Sequence, residues 1–139
     1  MLHLHNNNIV HRDLAARNIL LSATGAPKIS DFGMSRVIAE DTGNTTKSTV
    51  GPVKWMAPES IKHKEYSKKS DTWTFGVVVW EIVTRQEPYK DEDLMEVGVK
   101  IRDEGHSLPI PDDTEPIFKH IMESCFKKEP QDRLVSWSL

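Results

Sequence analysis

The sequence predicts an α+β domain, mostly helical, with short β hairpins near its start. Three observations carry that reading. Short apolar runs at Ile9–Val10 and Ile19–Leu21 flank a charged segment, and an Ala23-Thr24-Gly25-Ala26-Pro27 turn leads to a third strand candidate, Lys28–Ser30. A longer apolar run from Thr72 to Thr84 has Trp73, Val77 and Trp80 at helical spacing. The chain of 139 residues is one domain's length, and its 37% hydrophobic residues come in blocks that can form a core.

Taken in order, Met1 to Leu4 is too short for a stable helix, and Asn6-Asn7-Asn8 reads as a turn. The layout that follows is strand, charged loop (His11 to Asn18), strand, turn, strand. Asp31 to Glu59 has weak periodicity, and Asp41 to Thr49 is polar and rich in threonine. A connection this long points to a functional surface loop. The Thr72–Thr84 run is too long for an ordinary strand. With Ser70 and Asp71 as start residues, it predicts a central helix over 71–84, buried nearly all round. Asp93 to Arg102 predicts a second helix with Leu94, Val97 and Ile101 inward. Leu108-Pro109-Ile110-Pro111 must be extended or turned. Glu115 to Lys127 predicts a third helix, with Ile117, Ile121 or Met122, and Cys125 or Phe126 inward. Glu129 to Arg133 breaks it, and Leu134 to Leu139 reads as the start of another helix.

The 18 basic and 21 acidic side chains leave a charge of -3, which gives no support to a nucleic-acid partner. No apolar run approaches a membrane span, so no membrane contact by this chain is expected. Polar His3, His5 and Asn6 to Asn8 do not follow a secretory leader's pattern. Cys125 is the single cysteine, which rules out an intrachain disulfide; its place on an apolar helical face makes it a packing residue. Trp55, Trp73 and Trp80 are read as core, and His63 and His106 as surface. Lys62, Lys64, Lys68 and Lys69 are read as a solvated basic face. Asn44-Thr45-Thr46 matches a glycosylation acceptor by accident.

The chemistry lies in two segments. His11-Arg12-Asp13-Leu14-Ala15-Ala16-Arg17-Asn18 is followed, thirteen residues after Asn18, by Asp31-Phe32-Gly33. A carboxylate and a carboxamide on one constrained loop, with a second carboxylate behind them, suit phosphoryl transfer. Asp31 offers hard oxygen to magnesium, and Asn18 offers another without adding charge. Asp13 is then free to orient a hydroxyl and accept its proton.

With Ala57-Pro58-Glu59 added, these motifs resemble the protein kinase family. His11–Asn18 resembles the catalytic loop in its tyrosine-kinase form, Asp31-Phe32-Gly33 the metal-binding motif, and Ala57-Pro58-Glu59 the close of the activation segment. The resemblance spans about Leu4 to Arg133. It implies a protein kinase-like fold of which residues 1–139 form the helical C-terminal lobe, without the N-terminal lobe. The catalytic loop would be 9–20, the activation segment 31–59 and the central helix 71–84. It also implies ATP and Mg2+ as cofactors and proteins bearing tyrosine as substrates. Asp13 would be the catalytic base, Asn18 and Asp31 the magnesium ligands, and Leu20 the floor under the adenine. Arg17 would hold Asp13 and the substrate hydroxyl. His11 and Phe32 would pack beneath the site, and Arg12 would grip a phosphorylated activation segment. Asp71 would anchor the catalytic loop's backbone, and Glu59 with Arg133 would form a buried ion pair. A cytoplasmic location, or the cytoplasmic part of a membrane receptor, goes with this reading.

Ala15 and Arg17 after Asp13, and Pro52 after Gly51, resemble tyrosine kinases rather than serine/threonine kinases. The only tyrosines, Tyr66 and Tyr89, lie outside 31–59, so Thr42, Thr45, Thr46, Ser48 and Thr49 are the acceptors available there. Leu134 stands where the family usually has proline. Two alternatives stay open: a serine/threonine or dual-specificity enzyme, and a non-catalytic binding module. The chain has no GxGxxG loop and no phosphate-pairing lysine ahead of His11. The 139 residues alone are therefore expected to give no Asp13-dependent phosphate transfer in an ATP-turnover assay, and to associate through exposed apolar surface.

Overall fold

A computed structural model describes residues 1–37 and 52–134. The threonine-rich stretch with its candidate acceptors, Asn44-Thr45-Thr46, and residues 135–139 lie outside the described residues. The order of elements is α1 (Leu2–Asn6), β1 (Ile9–Val10), β2 (Ile19–Leu21), β3 (Pro27–Ile29), β4 (Arg36–Val37), α2 (Pro58–His63), α3 (Lys68–Thr84), α4 (Leu94–Glu104) and α5 (Pro116–Cys125). Short 3₁₀ turns occur at Ala16–Asn18, Phe32–Met34, Val53–Trp55 and Pro130–Asp132. The predicted α+β character and helical majority are both present.

The strands form two separate antiparallel pairs. β2 and β3 make the expected hairpin, with Ile19 opposite Ile29 and Leu21 opposite Pro27. Its turn is closed by Ala26 N donating to Ser22 Oγ (3.0 Å), and Gly25 takes φ +80°, which glycine adopts without strain. β1 pairs with β4, which periodicity did not reveal, because two residues per strand are too few for a pattern. Residues 2–6 are helical despite their brevity; the turn is held from outside, since Leu4 and His5 are buried.

α3 is the post of the molecule. Ser67, not Ser70 or Asp71, caps it: Ser67 Oγ accepts from Lys69 N (3.1 Å) and Ser70 N (3.2 Å), while Ser70 Oγ accepts from Ser67 N (2.8 Å). The helix thus starts three residues before the predicted 71. Trp73, Val77, Val78 and Trp80 are buried, as expected, but Ile82 in the last turn is exposed. Trp80 Nε1 donates to Pro109 O (2.8 Å), which holds the irregular Leu108–Pro111 segment on the core.

α5 crosses α3 at Gly76, where a Cβ would lie 2.6 Å from Cys125 Cβ and 2.9 Å from Phe126 Cε1. Met122 and Cys125 are buried there, and Phe126 meets Trp73 edge-on at 5.3 Å. Burial pushes the Cys125 thiol up to about 12, as desolvation penalises the thiolate. Ile117 was expected inward but is exposed, because the crossing lies at the other end of α5. Leu94 is likewise exposed, whereas Val97, Gly98 and Ile101 of α4 are buried. The α4 stripe is covered from Val97 onward, and at Gly98 Val53 Cγ1 packs 3.2 Å from the position a Cβ would take. α2 was not foreseen, although Pro58 at its first turn and Glu59 beside it are ordinary helix-start residues.

One buried cation ties the chain's end to this frame. Arg133 donates to Glu59 Oε1 (2.7 Å) and Oε2 (2.8 Å), and to the carbonyls of Lys127 (2.8 Å), Lys69 (2.9 Å) and Lys128 (3.0 Å). All five guanidinium N–H groups are used. The lysine face is not wholly solvated: Lys68 Nζ donates to Asn8 Oδ1 (2.8 Å) and Lys69 Nζ to Arg133 O (2.6 Å). Arg133→Met leaves Glu59 and three carbonyls unmatched and is expected to cost about 3–5 kcal/mol in urea unfolding. Adding Glu59→Gln should recover part of that loss, because no unpaired charge remains.

Candidate functional site

The site is built on the His11–Asn18 loop between β1 and β2. Its backbone is bent at Arg12, which has φ +72°, an uncommon value for a residue with a Cβ. The bend is held from below by Asp71 of α3, which is 1% exposed. Asp71 Oδ2 accepts from His11 N (2.8 Å), and Oδ1 from Arg12 N (3.1 Å). His5 Nε2 lies 3.3 Å from Oδ2 on the other side. Two strong donors that the bend would orphan are thereby satisfied. The Arg12 guanidinium stacks over the Tyr66 ring, 4.0 Å from its centroid.

His11 is fully buried and connects the two motif segments. Asp13 N donates to its Nδ1 (3.2 Å), so the ring proton belongs on Nε2, which donates to Ser30 O (2.9 Å). Ser30 answers by donating its N (2.8 Å) and Oγ (2.9 Å) to Asn18 O. Asp31 is the next residue along the chain. It takes φ +57° and ψ +67°, a left-handed conformation that aspartate tolerates better than most residues. Phe32 meets the His11 ring edge-on at 5.0 Å, but it is 44% exposed, so it packs on one side only and not as an internal residue.

Asp13, Arg17 and Asn18 form one hydrogen-bonded group. Arg17 Nη2 donates to Asp13 Oδ1 (3.0 Å); Asn18 Nδ2 donates to Asp13 O (2.7 Å) and, more weakly, to Oδ2 (3.4 Å). The nitrogen end of the Asn18 amide is committed to Asp13. Asp31 is exposed and follows Ser30, whose N and Oγ donate to Asn18 O, so Asn18 and Asp31 stand beside neighbouring ends of the β2–β3 hairpin. Among the described residues, no three of His, Cys, Asp and Glu are clustered as a metal cage. This donor set fits magnesium, which takes one or two protein oxygens and completes its shell with water and phosphate. Leu20, on β2, is 56% exposed at the edge of the same region.

Two residues that sequence reasoning missed also shape the site. Glu81 Oε2 accepts from Ala16 N (2.9 Å) and from Trp55 Nε1 (3.0 Å). Trp55 is half-buried and not a core residue like Trp73 and Trp80; its ring lies 4.9 Å from the Arg17 guanidinium carbon. A charged residue in the last turn of a buried helix gave no signal beyond its type. Pro52, Trp55, Met56 and Ala57 line a crevice together with Arg12 and Asp13.

Comparison with known proteins shows the family. Residues 1–136 match the sequence profile described as protein tyrosine and serine/threonine kinase. The chain belongs to that kinase family. It is 43% identical over 135 residues to tyrosine-protein kinase SRK3 of Spongilla lacustris, covering 96% of this chain and 40% of that protein. It is 40% identical over 136 residues to ephrin type-A receptor 3 of Danio rerio, covering 96% of the chain and 14% of the receptor. It is also 40% identical over 133 residues to mitogen-activated protein kinase kinase kinase 13 of Mus musculus, covering 96% and 14%. The kinase chain thus spans well under half of the length of these relatives. No described helix is long and apolar enough to cross a membrane.

Replacing Asp71 by Asn puts an amide nitrogen against backbone donors. The expected cost is about 1–3 kcal/mol for each amide left unpaired. Hydrogen exchange of the His11 and Arg12 amides should accelerate far more than that of α3.

Proposed function

We propose that this chain supplies the helical lobe of a protein kinase that moves the terminal phosphate of ATP to tyrosine hydroxyls of proteins. The hydrogen-bonded group of Asp13, Arg17 and Asn18 is the observation that carries the reading. Asp13 faces the crevice with one oxygen held by Arg17, so it can orient an incoming hydroxyl and take its proton. Asn18 and Asp31 would hold Mg2+, which when bound with ATP neutralises charge on the phosphates. Leu20 offers an exposed apolar surface for the adenine ring. His11 keeps Asp13 and the Ser30–Asp31 turn in fixed register through one imidazole.

Tyrosine specificity rests on Ala15, Arg17 and Pro52, with Pro52 and Trp55 lining the same crevice as Asp13. A flat apolar wall suits a phenol, which reaches further from the peptide backbone than a serine hydroxyl. The relatives named for tyrosine kinase and ephrin receptor agree with this reading. The family description, which covers tyrosine and serine/threonine kinases alike, supports a second reading, transfer to serine or threonine. A cytoplasmic setting, either free or as part of a receptor, follows from the need for ATP.

A peptide panel assayed with ATP and Mg2+, using the protein that carries this chain, separates the two. Tyrosine peptides should be phosphorylated at least ten-fold faster than serine or threonine peptides, about 1.4 kcal/mol of discrimination. Asp13→Asn should lower kcat by about 10²–10⁴-fold with little change in the KM for ATP. Equal rates on all three hydroxyls would favour the second reading.

A further inference from the structure

The geometry points to Glu81 as a positioning residue that sets Arg17, and through it Asp13, by way of the Trp55 indole. A single carboxylate oxygen, Oε2, accepts from Ala16 N (2.9 Å) and Trp55 Nε1 (3.0 Å). Those donors belong to the two segments that must meet across the crevice. Ala16 is the residue before Arg17 and opens the 3₁₀ turn of the catalytic loop. Trp55 ends the 3₁₀ turn that begins at Val53.

The indole face then receives the Arg17 guanidinium at 4.9 Å, while Arg17 Nη2 reaches Asp13 Oδ1 at 3.0 Å. Arg17's side chain is 49% exposed. A long exposed arginine bonded only to a carboxylate is weakly held, because the pair is screened and the side chain has many rotamers. A ring fixed at its N–H end supplies the second contact that leaves one rotamer. Glu81 also makes that hydrogen bond a charge-assisted one. Polarising the N–H toward an anion leaves the ring face more negative and strengthens its hold on a cation. Glu81 is not among the residues that line the crevice with Asp13, and its hydrogen bonds go to Trp55 and the Ala16 backbone, so it acts through those two.

The significance for catalysis rests on the reading of Asp13 given above, but the test does not need phosphate transfer. The full chain is labelled with ¹⁵N, and the Arg17 Nε–H and Trp55 indole N–H signals are followed by NMR. In the unaltered protein the Arg17 signal should be displaced upfield by the indole ring, and the Trp55 indole should exchange slowly. Glu81→Leu should return Arg17 to the position of a free arginine, with the Trp73 and Trp80 indole signals unmoved as a check on the fold. Glu81→Gln keeps a carbonyl acceptor and should retain at least half of the displacement. Trp55→Phe keeps a ring but has no N–H to tether it, so it should behave like Glu81→Leu. If Glu81→Leu does not fold, the contrast between Glu81→Gln and Trp55→Phe decides. An Arg17 signal that keeps its place in Glu81→Leu or in Trp55→Phe overturns the proposal, as does equal loss in Glu81→Gln. A chain that passes this test yet proves inactive in the protein that carries it would refute the kinase reading alone.

Discussion

The site depends on one buried carboxylate. Asp71 reaches out of the first turn of α3 and accepts two consecutive backbone N–H groups, from His11 and Arg12, where the chain makes a left-handed bend. Without that acceptor the bend would combine backbone strain with two unmatched donors, and an extended loop would be lower in free energy. Everything downstream follows the bend. It turns His11 inward, places Asp13 at the crevice, and lets Asn18 reach back to the Asp13 carbonyl.

The carboxylate can hold the loop only because its helix cannot move. α3 is pinned at its start by the Ser67–Ser70 cap and in its middle by the close crossing with α5 at Gly76. Arg133 joins the beginning of α2, the first turn of α3 and the segment after α5 through one guanidinium. A planar donor with five fixed N–H groups does this where a lysine could not. The hydrophobic core therefore serves as a rigid base, and the chemistry sits on loops above it, as is usual for sites that need both precision and access.

Much of this was legible in the sequence, and for identifiable reasons. Trp73, Val77 and Trp80 announced a buried helix because their spacing matches its period over several turns. Asp13, Asn18 and Asp31 stood out because their residue types and separation are rarely combined otherwise, and the structure joins Asp13 to Asn18 by hydrogen bonds. The backbone conformations were not legible, since nothing in Arg12 or Asp31 as residue types demands a positive φ. Leu94 and Ile117 had the right spacing to be buried, but burial depends on where the neighbouring element ends. Ser70 and Asp71 stood in for the true cap, Ser67, because all three are good helix-start residues and their types alone do not choose between them. Glu81 was invisible because a carboxylate near a helix end usually faces water, and its two partners come from segments distant in sequence.

Asp71 and Glu81 lie on the same helix, ten residues apart, which at 1.5 Å per residue is about 15 Å. One carboxylate grips the entry of the His11–Asn18 loop and the other its later part, at Ala16. The helix between them therefore acts as a gauge block for the loop's span. A residue inserted between Thr72 and Trp80 would turn one carboxylate about 100° away from its amide, however well the core accepted the change. Length within that stretch is under a geometric constraint that hydrophobicity alone would never impose.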